Sequence, residues 1–510
     1  MANSVTFIKG QGGLGRPLPG TDYISGLLFY SGATLPTGFS ANDRVKIVNS
    51  LEEAEDLGIT DASLGETAST ATYLVTNAGT AGNTFEMTCA IVGESGLETV
   101  TLCDFTSVSA DVVSASTMAT RIASEINLGT PTHGFTASAA TATVTITAAP
   151  GQGVFLNTGT PYTVTIVGTI AGTLTQNVVP GVASDIDIMH YHVKEFFRAQ
   201  PKGKLYIGIY ALADIGTFSN VIDMQNFAQG EIKQIGIYQK NTAFATAHVT
   251  TLQSVYNTLD ALFKPVQIIY NADIYNVVTV TTLSNLRLLS APNVSVTVGQ
   301  DGNAKGFKLW KATGRSIGCV GVTLGAVAFG KVSDNIAWVG KFNMSSTELD
   351  VLNFANGQVL TSLADATIDG LDNYGYVFLK KHIGIAGSYF NDNHTCVAKT
   401  NDYAYIAEGR TMDKAIRNLR AILLPSLASP IFVNADGTLT EDLIGYFETL
   451  CQQALDVMSR DKEISAYNVI IDPTQNVLST SELEITVEIV PVGSARTIKV
   501  NVGFKVAVTS

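Results

Sequence analysis

Apolar positions follow a period of two in some stretches of this chain and a period near 3.6 in others, and the changes of period divide it. The runs Ile24 to Tyr30, Leu205 to Tyr210, Gln234 to Tyr238, Val266 to Tyr270 and Val294 to Val298 are short and strand-like. Helix-length segments separate most of them, which predicts a layered α/β domain. Ser50-Leu51-Glu52-Glu53 is a capping box that opens a short helix ending at Gly58. The helical period returns at Ser184, with Ile188, Tyr191, Val193, Phe196 and Phe197 on or near one face. Between these two helices the chain has another character. From 67 to 183 Thr, Ala, Ser and Gly dominate, Arg121 is the only Lys or Arg, and Ala142 to Thr147 alternates strictly. A β-rich module with one helix near Thr117 to Asn127 is predicted, inserted where folds tolerate insertions, at an exposed loop.

The C-terminal section begins with a helix from about Thr411 to Leu424, stopped by Pro425, and a second from Thr440 to Ser459 behind the capping box Thr438-Leu439-Thr440-Glu441. Two strands are then predicted. Leu483, Ile485, Val487 and Ile489 alternate with polar residues, and after Pro491 and Gly493 a second apolar row runs Ile498, Val500, Val502, Phe504, Val506 and Val508. At the other end a short strand, Ser4 to Ile8, leads into an arm rich in Gly and Pro. The expected organisation is an arm over 1–22, a discontinuous α/β domain over 23–66 and 184–370, the β-rich insertion over 67–183, and a C-terminal domain over 371–510. The fold class is mixed α/β.

Composition adds that much of the surface is covered. Charged residues make up 15% of the 510 and hydrophobic ones 46%, against roughly 25% charged in typical soluble proteins. A membrane is a poor cover, because the longest apolar run, Ile317 to Gly330, falls short of the ~20 residues that span a bilayer. It reads as a buried helix. The start lacks a basic segment followed by an apolar one, so no secretory signal is expected. Other subunits are the remaining cover, since obligate interfaces resemble a divided core. A net charge of −13 opposes direct nucleic-acid binding, which needs clustered cations. Five cysteines without C-x-x-C spacing indicate neither a disulfide framework nor a zinc site.

Candidate chemistry is sparse. Gly10-Gln11-Gly12-Gly13-Leu14-Gly15 has the spacing of a dinucleotide loop, but Pro17 and Pro19 oppose the helix that such a loop must open. His190 and His192 stand about 200° apart on a helix, so packing or surface roles are expected of them. Asn391-Asp392-Asn393-His394 lacks the ligand alternation of a calcium loop and is expected to be a solvated turn. No nucleophile elbow, zinc-protease helix or phosphate-loop lysine occurs. No enzyme activity and no cofactor or metal are expected. Arg410, Lys414, Arg417 and Asn418 share one side of the helix that runs into Arg420, opposite Ile416, Leu419 and Leu423.

In order, Gly387-Ser388-Tyr389-Phe390-Asn391-Asp392, Asp402-Tyr403, Gly409-Arg410-Thr411-Met412-Asp413-Lys414-Ala415-Ile416-Arg417, the helix Thr440 to Ser459, Glu488-Ile489-Val490-Pro491 and Ala495-Arg496-Thr497-Ile498-Lys499-Val500 resemble the contractile phage tail sheath family. Val45 to Gly58, Tyr191 to Phe197 and Leu205 to Ile209 are similar as well, so the resemblance covers most of the chain outside 67–183. It implies a non-enzymatic homo-oligomer stacked in rings around a tail tube protein, contacting baseplate and tail terminator proteins, made in a bacterial cytoplasm and ending in a virion tail. It also implies that terminal strands join a neighbour's sheet. The residues for that role are Val5, Phe7, Ile498, Val500, Val502, Phe504 and Val506. Arg410, Lys414, Arg417 and Arg420 become the candidate tube-facing or inter-subunit contact, and 67–183 an outer decoration. A sheath from a non-phage injection system fits the same residues. A surface adhesin acting through 67–183 is the reading from a different class.

Overall fold

A computed structural model describes residues 20–31, 34–93, 96–211, 216–240, 242–345 and 348–504. The predicted strands at Val5 and Phe7, the glycine motif at 10–15 and Val506 lie outside them. In chain order the first elements are β1 (Ser25–Ser31), β2 (Val45–Val48) and α1 (Leu51–Asp56). The inserted stretch carries β3 (Thr70–Asn77), β4 (Thr84–Gly93), β5 (Gly96–Thr106), α2 (Ala115–His133), β6 (Thr136–Ala140), β7 (Thr143–Thr147), β8 (Tyr162–Val167) and β9 (Ala171–Val179). The chain continues with α3 (Asp185–Ala199), β10 (Leu205–Ala211), α4 (Asn220–Phe227), β11 (Gln234–Gln239), α5 (Thr246–Ala261), β12 (Gln267–Asn271), β13 (Val294–Thr297) and β14 (Gly299–Asp301). Then come α6 (Lys305–Thr313), α7 (Val320–Phe329), β15 (Leu352–Phe354), α8 (Asp365–Asn373), β16 (Tyr376–Val377), β17 (Leu379–His382) and β18 (Ile385–Phe390).

Seven strands form the main sheet in the order β16-β13-β12-β11-β1-β10-β2. All neighbours are parallel except the edge pair β10 and β2. A parallel sheet is covered on both faces, and every residue of β1 is accordingly buried. Gly26 and Gly208 face Met224 of α4, while Gly236 faces Val320 and Leu324 of α7. The helices therefore sit on opposite sides of a three-layer α/β/α core. The strands that precede and follow the insertion belong to this one sheet, and the ends of the insertion meet, with Thr67 and Val182 exchanging backbone hydrogen bonds of 3.0 and 2.8 Å. The inserted stretch has its own core, in which Met118, Ile122 and Ile126 of α2 pack with Tyr73, Phe85 and Val144.

Two compact units divide the chain: Met1–Gly330 with Ile336–Ile406, and Lys331–Asn335 with Ala407–Ser510. The break after Ile406 replaces the predicted boundary at 371. The reason is β16, which adds to the main sheet beside β13, and the β17–β18 hairpin that follows it directly.

The apolar run Ile317 to Gly330 contributes α7, which packs along α3 through two glycines one turn apart. A Cβ at Gly321 would lie 2.3 Å from the His192 carbonyl oxygen, and one at Gly325 2.6 Å from that of Phe196. Neither backbone can yield locally. Gly325→Val is expected to cost ~3 kcal/mol or more, whereas Gly370→Ala, in a helix position with open space around it, should stabilise by ~0.5 kcal/mol. Denaturant midpoints of the two variants test this.

His192 and His190 diverge. His192 is buried beside Phe29, Tyr191 and Tyr238, and burial pushes its imidazole down from 6.5 to about 3, with a backbone group of Ile317 opposing. His190 instead reaches Glu55 at 2.8 Å. Because the His192 pKa is lower folded than unfolded, the unfolded chain binds more protons between the two values. Its contribution is complete above about 6.5 and is lost as pH falls. At pH 5 the loss is ~2 kcal/mol. His192→Phe should flatten the acid limb of a thermal-stability profile by that amount, and an unchanged limb would contradict the assignment.

Candidate assembly interface

In the C-terminal unit, α9 (Ile406–Leu423) and α10 (Glu441–Arg460) pack on a two-stranded antiparallel ladder of β19 (Ile464–Ile470) and β20 (Thr486–Pro491). Ala415, Leu455, Met458 and Ile464 form the first core, supported by Tyr467, Val469, Val487 and Ile489 from the ladder. Leu439, Phe447, Ile471 and Val477 form the second. The N-cap of α10 is Thr440, whose hydroxyl accepts from the Leu443 amide at 3.4 Å. Thr438, predicted to cap, is instead turned to Asp436 at 2.7 Å. Strand β19 begins just after α10 and was not predicted.

The predicted terminal strand differs in form. Ile498 to Phe504 takes no strand conformation, and Ile498, Val500, Val502 and Phe504 are between 74 and 110% exposed. A strand is defined by its ladder partner, and within the described residues the tail has none. Among the described residues the β19–β20 ladder pairs with no further strand. A two-stranded ladder with an apolar inner face and free edges can accept another strand. Among the described residues, the two-stranded ladder and the alternating apolar segment Ile498 to Phe504 follow one another in sequence without pairing.

The basic side of α9 is not a uniform outward face. Arg410 is buried, its guanidinium donating to the Lys331 carbonyl at 3.2 Å, and Lys414 pairs with the buried Glu463 at 2.7 Å. Ile416, predicted on the buried side, is 42% exposed, while Ala415 is fully buried. The helix is rotated from the predicted orientation, and Lys414 meets Glu463, the residue before β19, inside the unit. Within the unit Arg410 and Lys414 are therefore already engaged. Arg417 is half-buried and Arg420 exposed.

Two polar clusters in the other unit bear on chemistry. Strand β1 lies between β10 and β11, so the strand order reverses at the β1/β11 junction, where open α/β sheets bind ligands beyond the carboxyl ends of their strands. Here Lys240, just past β11, pairs with Asp185 at the start of α3, and the Ser31 hydroxyl donates to the same carboxylate at 3.0 Å. A half-buried ion pair occupies the junction. Among the described residues no group of three or more His, Cys, Asp or Glu could hold a metal ion.

The second cluster overturns the expected solvated turn. Asn391, Asp392, Asn393 and His394 are all buried. Arg287 organises them, its guanidinium donating to the carbonyls of Thr395, Val397 and Ala404 at 3.2, 3.1 and 3.3 Å and also to His394 Nδ1. With Nδ1 accepting, Nε2–H donates to Asp372 at 3.0 Å. Burial, with the Arg287 cation adding to it, pushes the His394 pKa down. Burial would raise Asp372, but hydrogen bonds from His394 and Asn391 bring it to about 2. The result is a neutral imidazole between a cation and an anion, with both ring nitrogens engaged. Its work is to hold an irregular buried loop whose carbonyls need donors.

Two family models match nearly the whole chain: DUF2586, N-terminal domain, over residues 2–394, and DUF2586, C-terminal domain, over 402–509. They meet close to the structural division after Ile406. No curated protein matches the sequence. Among solved structures the chain is similar, at 15% identity, to one in the anti-feeding prophage baseplate, with a TM-score of 0.41 over 62% of this chain and 80% of that one. It is likewise similar to the helical sheath of the anti-feeding prophage in its contracted state, at 15% identity and a TM-score of 0.44 over 61% and 81%. A third is the contracted PVC sheath complex of an extracellular contractile injection system, at 12% identity and 0.40 over 62% and 80%. On the two family models, which between them span both structural units, the chain belongs to the DUF2586 family.

Proposed function

We propose that this chain is the structural subunit of a contractile sheath, polymerising as stacked rings around a tail tube and driving that tube through a cell envelope when it contracts. One observation carries the reading: an alternating apolar tail lies fully exposed next in sequence to a two-stranded ladder with free edges. Donated to a neighbour's β20, the tail's apolar row would continue that of Val487 and Ile489. Lys499 would then share the outer face with Glu488, an opposite-charge pairing that favours this register. Burying four such side chains contributes on the order of 6 kcal/mol before ordering entropy is subtracted. Val5, Phe7 and Val506 are the further strand candidates at the two chain ends.

Contraction on this reading needs no hydrolytic site. An extended lattice held in a metastable state repacks into a more stable one when its base is released, and exchanged strands keep subunits joined as their bodies slide. The partners are copies of this chain, a tube protein, a baseplate and a terminator. In a phage the assembly would sit in the virion tail and serve genome ejection. In an injection system it would deliver another cargo. Arg417 and Arg420 are the remaining candidates for a tube or subunit contact. Negative-stain microscopy of the purified chain, alone and with its tube protein, tests the proposal. Hollow helical tubes or rings are expected. Compact particles at high concentration in both preparations would overturn it.

A further inference from the structure

The insertion presents a face unlike the rest of this acidic chain. Its two sheets divide the charges unequally: β4 and β5 carry Glu86, Glu98 and Asp104, while β3, β6, β7 and β9 contain no charged residue. These last four strands form one sheet in the order β6-β7-β3-β9. Its inner face packs under α2 through Ala71, Tyr73, Val144 and Ile146. Pairing register then fixes the outer face. Ser138, Thr145, Thr72 and Thr175 make one row across all four strands, and Thr136, Thr147 and Thr70 make the next across three. All seven are at least partly exposed.

We infer that this face binds a neutral polysaccharide. Each threonine offers a hydroxyl that both donates and accepts, beside a methyl group. A sugar ring offers the same two things, hydroxyls around its rim and C–H groups on its faces. A phosphorylated or carboxylated polymer would find no cation here. The size fits a few sugar units better than a protein. Three inter-strand spacings of ~4.8 Å and five residues at ~3.4 Å give a face of roughly 250 Å², well below the ~800 Å² per partner of a stable protein interface. One face of this kind binds weakly, and repetition in an array multiplies it. The repetition rests on the sheath reading, but the recognition does not.

The test immobilises the full-length chain at high density on a sensor surface, which supplies multivalency without polymerisation. Dextran, mannan and a linear β-glucan flow over it, with heparin as the anionic control. At least one neutral polymer should bind, with little change in 0.5 M salt, and Thr145→Glu with Thr72→Glu should weaken binding at least tenfold. Thr145→Val with Thr72→Val keeps the β-branched shape and removes the hydroxyls. That pair should also weaken binding, with an unchanged melting temperature. Three outcomes overturn the inference: no neutral polymer is retained, heparin alone is retained, or the substitutions abolish association between copies of the chain instead. Tube formation by the same variants should be unaffected, so a failed sheath reading is recognised separately.

Discussion

A chain ending at Ala495 is expected to fold and to remain unassembled. Among the described residues, the unit's two cores, built mainly on α9, α10, β19 and β20, include none of Ile498 to Phe504. Ile498, Val500, Val502 and Phe504 are exposed, so losing them removes little buried area from the subunit and the melting temperature should stay within a degree or two. If the tail is the strand a neighbour receives, its loss deletes a contribution on the order of 6 kcal/mol per subunit contact. That corresponds to about four orders of magnitude in an association constant. Sedimentation velocity and microscopy should show polymer from the full chain and only unassembled subunits from the shortened one. A milder variant, Val500→Lys with Val502→Lys, keeps the length and places charge on the buried row. It should fail in the same way, which separates strand chemistry from mere chain length.

Arg287→Leu is expected to be the most damaging single substitution in the larger unit. The guanidinium serves three backbone carbonyls and His394 Nδ1 in a buried setting. Leucine fills much of the space but leaves those acceptors without a donor. At ~1–3 kcal/mol for each unsatisfied buried group, the sum exceeds ~4 kcal/mol, a large share of a domain's stability. Arg287→Lys should recover only part, because an ammonium cannot present the planar fork that reaches carbonyls from 395 to 404 together. Soluble yield, urea midpoints and the near-ultraviolet signal of Tyr405, over which Arg287 sits at 5.6 Å, report on the loop. A wild-type midpoint for the leucine variant would show that the loop holds itself.

Legibility in the sequence followed burial. The strands β1 and β10 to β13 are buried on both faces, so most of their residues are apolar and the runs stand out without any partner in view. The stretch 67–183 stood out by its single Lys or Arg and its strict alternation. Other features depended on contacts between distant residues. Strand β16 has two residues, too few to show a period, yet it moves the domain boundary from 371 to 406 by joining β13. Arg287 sits in the run Leu286-Arg287-Leu288-Leu289, and a lone cation among leucines was the available sign of a buried structural arginine. Asn391 to His394 has the composition of a turn, and only its position above Arg287 makes it an interior loop. The face of α9 was misjudged because Glu463, the partner of Lys414, lies in the turn between α10 and β19, where no period marks it as buried. The tail was readable as a strand from its pattern, but a pattern does not say whose sheet completes it.

Hydrogen–deuterium exchange across residues 497–504 tests that last point most directly. The account predicts rapid exchange in dilute, unassembled chain and strong protection of alternate amides in the polymer, together with new protection along the free edge of β20. Equal, fast exchange of the tail in both states, in a preparation that microscopy shows to be assembled, would contradict strand donation as the link between subunits.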